Sequence, residues 1–440
     1  MNRRRFIKQS TAGVAGLLAA PTIIPSHLWS SSQATLPSNK VNMGFIGVGG
    51  MGTGHVRTFL GFEDIHVRAV CDVRKEHRDR AKGLVDTQYG NEECATYNDF
   101  RKLLARDDID AVVLALPDQW HVLIGQEAAR QGKAMYYEKP MSFTVEEAQA
   151  MRSTVKRYGS IFQFGTQQRS DPRFRFAVEL ARNGYLGDLK RVIVGSASYT
   201  EVPEQPEEAI PDGLDYDMWL GPSPDLPYTT LRCSRNWTLI RDHSLGCLGS
   251  AWGIHHIDIA QWTMDADESG PISVEARGSI PTTGLYDTFQ YFESEHLYAN
   301  GATVLHIDHT HAKKRFPQFV NPGSSMGILW EGSEGWVYVS RGYLGASSDR
   351  ILRTKIGPNE IKLPESNNHR RNFIDAVRTG TDPICPVGPG VKSEIVCQQA
   401  DIAIRMGQRL EWDNDTETFI NNPIANSMLS SPMRGPWKLS

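Results

Sequence analysis

The chain has 440 residues, a net charge of −4 and 40% hydrophobic content. That length is ample for two cored domains. Mild acidity, with no basic run beyond the first residues, argues against nucleic acid as a partner. Six cysteines, at 71, 94, 233, 247, 385 and 397, show no CxxC pair and no zinc spacing, so they read as buried thiols.

The chain opens on Asn2-Arg3-Arg4-Arg5-Phe6-Ile7-Lys8, followed by an apolar, Ala/Gly-rich run over 11–24. That run is too short and too interrupted by Gly and Pro to serve as a spanning anchor. The reading is a removable twin-arginine signal over residues 1–34, with cleavage near Ser32-Gln33-Ala34. A Sec signal or a retained amphipathic anchor is the alternative, and Asn2 departs from the Ser usual before the arginine pair. The expectation is a periplasmic or secreted protein, exported folded and without a stable membrane anchor, for which disulfides are unnecessary.

From 41 to about 160, short apolar runs alternate with amphipathic stretches, the pattern of βαβ units. Strands are expected at Val41–Ile46, 66–71, 111–116 and 132–137, with helices such as 100–105 and 124–131 between them. Segment 111–116 is apolar almost throughout, as a parallel strand covered on both faces requires. The expected fold class is α/β, with a Rossmann domain (a doubly wound parallel sheet) over 41–160. Beyond it, alternating runs at 189–198, 272–279, 288–293, 302–308, 327–330 and 336–340 predict a large, mostly antiparallel sheet in a second α/β domain, 161–440. Helices are expected at 174–182, 253–262, 368–379 and 392–407. The acidic, Pro-rich stretch 202–217 reads as a surface loop, and the tail from Asn421 as loosely held.

Gly47-Val48-Gly49-Gly50-Met51-Gly52 directly follows the first strand and opens a helix. Gly47 permits the tight turn, Gly49 the close approach of a diphosphate, and Gly52 the packing of helix on sheet. Asp72 ends the second strand 20 residues after Gly52. Its carboxylate would accept from a ribose diol and repel a 2′-phosphate, favouring NAD over NADP, although Arg74 and Lys75 weaken that preference. Pro117, Trp120 and His121 follow the third recognised strand and are candidates for the nicotinamide side. A packed Trp and a helix-capping Asp118 are the alternative.

Glu138-Lys139-Pro140 ends a further strand on the same edge, with Glu138 on the cofactor side. A lysine there, its pKa lowered by burial or by the cofactor's positive ring, can shuttle a carbinol proton during hydride transfer; otherwise it is a surface ion pair. His255 and His256, adjacent on a helix, point about 100° apart, so one can meet substrate while the other packs. His306, Asp308, His309 and His311, read as one strand, divide between its two faces, and no metal is expected.

Together these residues resemble the glucose–fructose oxidoreductase / inositol dehydrogenase family, Gfo/Idh/MocA, in its secreted bacterial subgroup. The resemblance runs over about 41–437. It includes Gly165-Thr166-Gln167-Gln168-Arg169-Ser170, Tyr216-Asp217-Met218-Trp219-Leu220-Gly221-Pro222 and Asn372-Phe373-Ile374-Asp375-Ala376-Val377. It implies an open C-terminal sheet used for subunit contacts, hence a homo-oligomer, and final helices that pack back on the body. It also implies Lys139 as the catalytic lysine and His255 as the histidine of an Asp-x-x-x-His pair. Gln167, Arg169, Trp237 and His256 fall in segments that line the sugar site.

One position departs from the family: the aspartate four residues before the histidine is Ala251 here. Four apart is one helix face, so that carboxylate would orient the imidazole and raise its basicity. Without it His255 is a weaker base, Lys139 acts alone, or the reaction differs, with Asp242 or Asp258 as candidate substitutes. Three functions follow. The leading one is oxidation of a secondary hydroxyl of a sugar or glycoside by tightly bound NAD, recycled in place by a second substrate. The second is redox-neutral cleavage of a glycoside through a transient ketosugar. The third is noncatalytic sugar or nucleotide binding.

Overall fold

Six parallel strands, β1 (Val41–Ile46), β2 (Ile65–Cys71), β3 (Ala95–Tyr97), β4 (Ala111–Leu114), β5 (Ala134–Tyr137) and β6 (Phe162–Phe164), stand in the order β3-β2-β1-β4-β5-β6. This is the doubly wound arrangement, with its switch point between β1 and β4. The computed structural model describes residues 39–319 and 326–440, so the leader and its cleavage site lie outside the described residues. All of β4 is buried, as its apolar run requires. The sheet continues past the boundary expected near 160, because β6 pairs with β5 through Met135↔Phe162 and Tyr137↔Phe164.

One face of this sheet is closed from the far end of the chain. Helix His369–Thr379 places Phe373 and Ile374 in the same apolar cluster as Phe45, Phe59, Val113 and Tyr136. Asp64 fixes that helix by accepting from Arg371 at 2.7 and 2.9 Å and from Arg378 at 2.7 Å.

The second sheet has nine strands: β7 (Leu189–Ser196), β8 (Ser273–Ser279), β9 (Tyr291–Leu297), β10 (Thr303–Asp308), β11 (Gly327–Gly332), β12 (Trp336–Ser340), β13 (Tyr343–Ala346), β14 (Leu410–Asp413) and β15 (Thr418–Phe419). Their order is β13-β12-β11-β7-β10-β9-β8-β14-β15. Only β7 and β10 pair in parallel; the other neighbours are antiparallel. Helix Gly253–Thr263 is buried at every residue, between this sheet and helix Val387–Met406. Among the described residues no helix is long and apolar enough to cross a membrane.

Three expectations change. His309 and His311, read as continuing a strand, do not: the strand expected over 302–308 ends at Asp308, whose carboxylate caps helix His309–Arg315 by accepting from the Thr310 and His311 N–H groups. The last long helix starts at Val387 rather than near 392, because Pro389 and Gly390 occupy its first turn, where no intrahelical N–H is needed. The tail is held down. Arg434 donates to the Gly221 carbonyl at 2.9 Å, and the Trp437 ring lies 4.6 Å from that of Trp120.

Glu147 and Glu394 are both buried, and the Asp118 carboxylate acts on each of them. Burial pushes both carboxyls up to about 8, so each carries a proton in the folded protein at neutral pH. Unfolded glutamates titrate near 4.3. The contribution is therefore complete below that pH and is lost as pH rises through 8. Urea midpoints should fall between pH 7 and 8.5, and Glu394→Gln should flatten that slope.

Candidate active site

The strands β1, β4 and β5 end on one edge, under a cleft of about 1620 Å³. Single small-ligand sites occupy roughly 300–1,000 Å³, so a dinucleotide and a second molecule fit together. Backbone geometry makes the first wall. Gly47 has φ +80°, and a Cβ there would lie 2.2 Å from the Ala115 carbonyl oxygen; a Cβ at Gly52 would lie 1.8 Å from that of Gly47. Around Gly50 there is open space. Helix Gly50–Phe59 has neither a side-chain cap nor an acid in its first turn. Its leading N–H groups and dipole are thus left for an anion, which fits a dinucleotide's diphosphate.

Gly49, Met51 and Asp72 line the same wall. Asp72 accepts from the Val48 and Arg74 N–H groups, each at 2.9 Å, and so braces the loop from the end of β2. Further along, Pro117 precedes helix Asp118–Arg130. Trp120 donates to the Met218 carbonyl at 2.9 Å and packs on Gly221, where a Cβ would meet its ring at 2.3 Å.

Glu138 is buried and accepts from His55 at 2.8 Å, while Arg370 donates to the other nitrogen of that ring at 2.9 Å. Burial pushes the Glu138 carboxyl up, but the His55 hydrogen bond and the nearby cations hold it below its ordinary value. Lys139 donates from Nζ to the Ser250 carbonyl oxygen at 2.8 Å. Burial lowers the pKa of this amine. The Glu138 and Asp118 carboxylates oppose that effect, while Arg341 and Arg235 add to it.

His255 reaches the cleft from helix Gly253–Thr263, its ring edge-on to Trp252 at 5.7 Å. Burial and the neighbouring Lys139 and Arg341 cations keep the imidazole neutral, far below its usual pKa. The expected substitutes for the missing aspartate are engaged elsewhere. Asp258 accepts two hydrogen bonds from Arg169 at 2.8 Å, and Asp242 lies 3.9 Å from Arg232.

Gln167 and Trp237 line the cleft, as do Gly47, Gly49, Gly50, Met51, Gly52, Asp72, Pro117, Trp120, Glu138, Lys139 and His255. Three expected residues do not, which corrects their expected roles. His121 turns inward to the Leu116 carbonyl at 2.9 Å and meets the Tyr137 ring edge-on at 4.9 Å. His256 bonds the Gly195 carbonyl at 3.3 Å. Arg169 is a buried strut between Asp258 and Asp267. Sequence reasoning missed Arg235, Trp252 and Arg341, and it read Asp118 only as a helix cap. Arg341 sits at the β12–β13 turn, 4.6 Å over the Trp252 ring. Only Asp118 carried a signal, its position beside a strand's carboxyl end. His306, bonded to Ser196 at 2.7 Å, and His311, bonded to Asp308 at 2.7 Å, serve the sheet and the helix cap. Among the described residues no group of three or more His, Cys, Asp or Glu is placed to hold a metal ion.

Comparison with known proteins accords with this geometry. Residues 41–166 match the model of the oxidoreductase family's NAD-binding Rossmann fold, and residues 197–439 that of the same family's C-terminal alpha/beta domain. The chain belongs to this family. A glycosyl hydrolase family 109 protein of Shewanella baltica is 31% identical over 215 residues, 45% of this chain and 46% of that protein. An alpha-N-acetylgalactosaminidase of Shewanella oneidensis is 30% identical over the same length and shares. These matches span about half the length of those relatives. In fold, the chain is similar to an aldose-aldose oxidoreductase from Caulobacter crescentus (TM-score 0.61, 19% identity, 84% of this chain and 99% of that one). It is also similar to a putative myo-inositol dehydrogenase from Sinorhizobium meliloti (TM-score 0.57, 19% identity, 84% and 99%).

Arg169 gives a direct test of the placement of side chains. Arg169→Met should cost roughly 3–5 kcal/mol of folding stability by stranding the buried Asp258 charge. Dinucleotide affinity of the folded fraction should not change. Retained stability in denaturant titrations would contradict the strut role.

Proposed function

We propose that the protein oxidises a secondary hydroxyl of a sugar or glycoside with a tightly bound NAD that is recycled in place. The observation that carries this reading is the Lys139 amine. It lines the same cleft as the glycine-rich turn and as Trp237, Trp252, Tyr286 and His255. Gly47, Gly49, Gly50, Met51 and Gly52 would hold the diphosphate, Asp72 the adenosine ribose, and Pro117, Trp120 and Glu138 the nicotinamide end. The bound dinucleotide supplies the hydride acceptor. Lys139, its pKa lowered by burial, takes the hydroxyl proton. Neutral His255 can hydrogen-bond the same oxygen or a neighbouring hydroxyl, and the aromatic walls give the apolar face of a sugar ring a surface to stack on. Asp72 favours NAD over NADP, since a carboxylate repels a 2′-phosphate.

Release through a twin-arginine leader and assembly as a homo-oligomer complete the proposal. Export would separate the enzyme from free dinucleotide, which is why the cofactor would need to stay bound. A second reading is redox-neutral cleavage of a glycoside through a transient ketosugar. It is favoured by Ala251, which leaves His255 without its carboxylate, and by the names of the Shewanella relatives.

Protein purified without added cofactor should carry nicotinamide detectable by absorbance and mass analysis. Supplied with sugars and glycosides, it should form a ketosugar together with a reduced sugar. Aglycone release at constant NADH would favour the second reading, and a site that takes up no dinucleotide would refute both. Lys139→Ala should lower turnover by about 10²–10⁴-fold, the usual range for a general base, with dinucleotide affinity retained.

A further inference from the structure

We propose that segment 213–237 of the second domain is a cover over the adenosine end of the cleft, and that its tie to the first domain sets how slowly the dinucleotide leaves. The inference rests on the NAD reading above and gives that reading a structural reason for retention.

The tie is a short antiparallel bridge between domains. Lys75 N–H donates to the Gly213 carbonyl at 2.8 Å, Asp215 N–H donates to the Val73 carbonyl at 3.0 Å, and Arg74 pairs with Leu214 between them. The Asn98 amide adds a donor to the Asp215 carboxylate at 2.7 Å. The other oxygen of that carboxylate accepts from Met218 N–H at 3.1 Å and so starts helix Tyr216–Leu220. The approach is close enough to require glycine: Gly213 has φ +80°, and a Cβ there would lie 3.2 Å from that of Lys75. Val73–Lys75 follow β2 and Asn98 follows β3, so the tie sits at the carboxyl ends of strands, where such sheets hold ligands. Asp72, assigned above to the adenosine ribose, immediately precedes it.

The segment is built to move as one body. Leu214, Tyr216, Trp219, Leu220 and Tyr228 form an apolar cluster of their own, apart from the main cores, and Val73 is the first-domain side chain packed against it. Val73, Arg74 and Asn98 line the cleft from one side, and Tyr228, Thr230 and Cys233 line it from the cover. The tie therefore joins two walls of one site. Its far edge is anchored separately, since Gln119 donates to the Trp219 carbonyl at 3.3 Å and Arg434 to the Asp217 carboxylate at 2.7 Å. That leaves the Gly213–Asp215 edge as the one that lifts. Lifting it exchanges three hydrogen bonds for bonds to water and keeps the apolar cluster intact, a modest and reversible cost. A ligand bound to both walls holds the cover down in turn.

The test reads release rather than turnover. Protein loaded with NADH is chased with excess NAD, and the loss of bound nicotinamide fluorescence gives the release rate. Asp215 does not line the cleft. Asp215→Ser keeps a hydroxyl able to cap the helix but removes the carboxylate that Asn98 holds. Its release rate should rise about tenfold or more, as loss of a charge-assisted hydrogen bond implies. Gly213→Val, which forces the bridge apart from the other side, should do the same. In the wild type, deuterium exchange at the Lys75 and Asp215 amides should slow several-fold when NADH is bound, while that of β14 and β15 stays constant. Unchanged release in a folded variant, or equal exchange with and without NADH, overturns the proposal. Wild-type protein that takes up no dinucleotide removes the reading and this inference together. Wild-type protein that holds NADH, with both variants releasing it equally slowly, removes the cover alone.

Discussion

A lysine ammonium donating to one backbone carbonyl, that of Ser250, ties together the two halves of the chemistry. The lysine ends β5 of the parallel sheet, and the carbonyl belongs to the segment leading into helix Gly253–Thr263 of the second domain. Burying an ammonium is unfavourable unless its charge is answered. The fold answers it with a carbonyl, two carboxylates and the walls of the cleft. That same burial leaves the amine willing to give up its proton, so the cost to stability and the capacity for proton transfer have one origin.

The rest of the site surrounds this amine with charged and aromatic groups. Glu138, its neighbour in sequence, holds His55, which Arg370 steadies from the second domain, and its carboxylate opposes the effect of burial on the amine. Cations gather on the substrate side, with Arg341 stacked over Trp252 and Arg235 nearby. Their repulsion further weakens the hold of Lys139 on its proton and keeps His255 neutral. The cleft therefore grades from helix-end donors for phosphate to a basic, aromatic recess for the second ligand.

Much of this was legible in the sequence because it is local. A glycine turn is required where a Cβ would strike the carbonyl that follows the neighbouring strand, and Asp72 and Lys139 announce themselves by ending strands on one edge. What failed depended on neighbours distant in sequence. Arg169 and His256 sit in segments that border the cleft, but each turns away, one to Asp258 and Asp267, the other to Gly195. Periodicity cannot tell which side of a turn faces a partner from another domain. The run from His306 to His311 misled for a different reason, since an Asp that alternates properly in a strand is equally good at starting a helix. Asp118 was visible as a cap, while its burial at the border of the cleft exists only once the sheet has formed.

The apolar closure of the first sheet by Phe373 and Ile374 has a consequence for how this architecture can be divided. A fragment cut at 166 would keep its glycine turn and yet present a bare oily flank, along with an Asp64 robbed of both guanidinium clamps. The nucleotide module is thus discontinuous along the chain: its lid is encoded some two hundred residues downstream. Swapping such a module between relatives would succeed only if the late helix travelled with it.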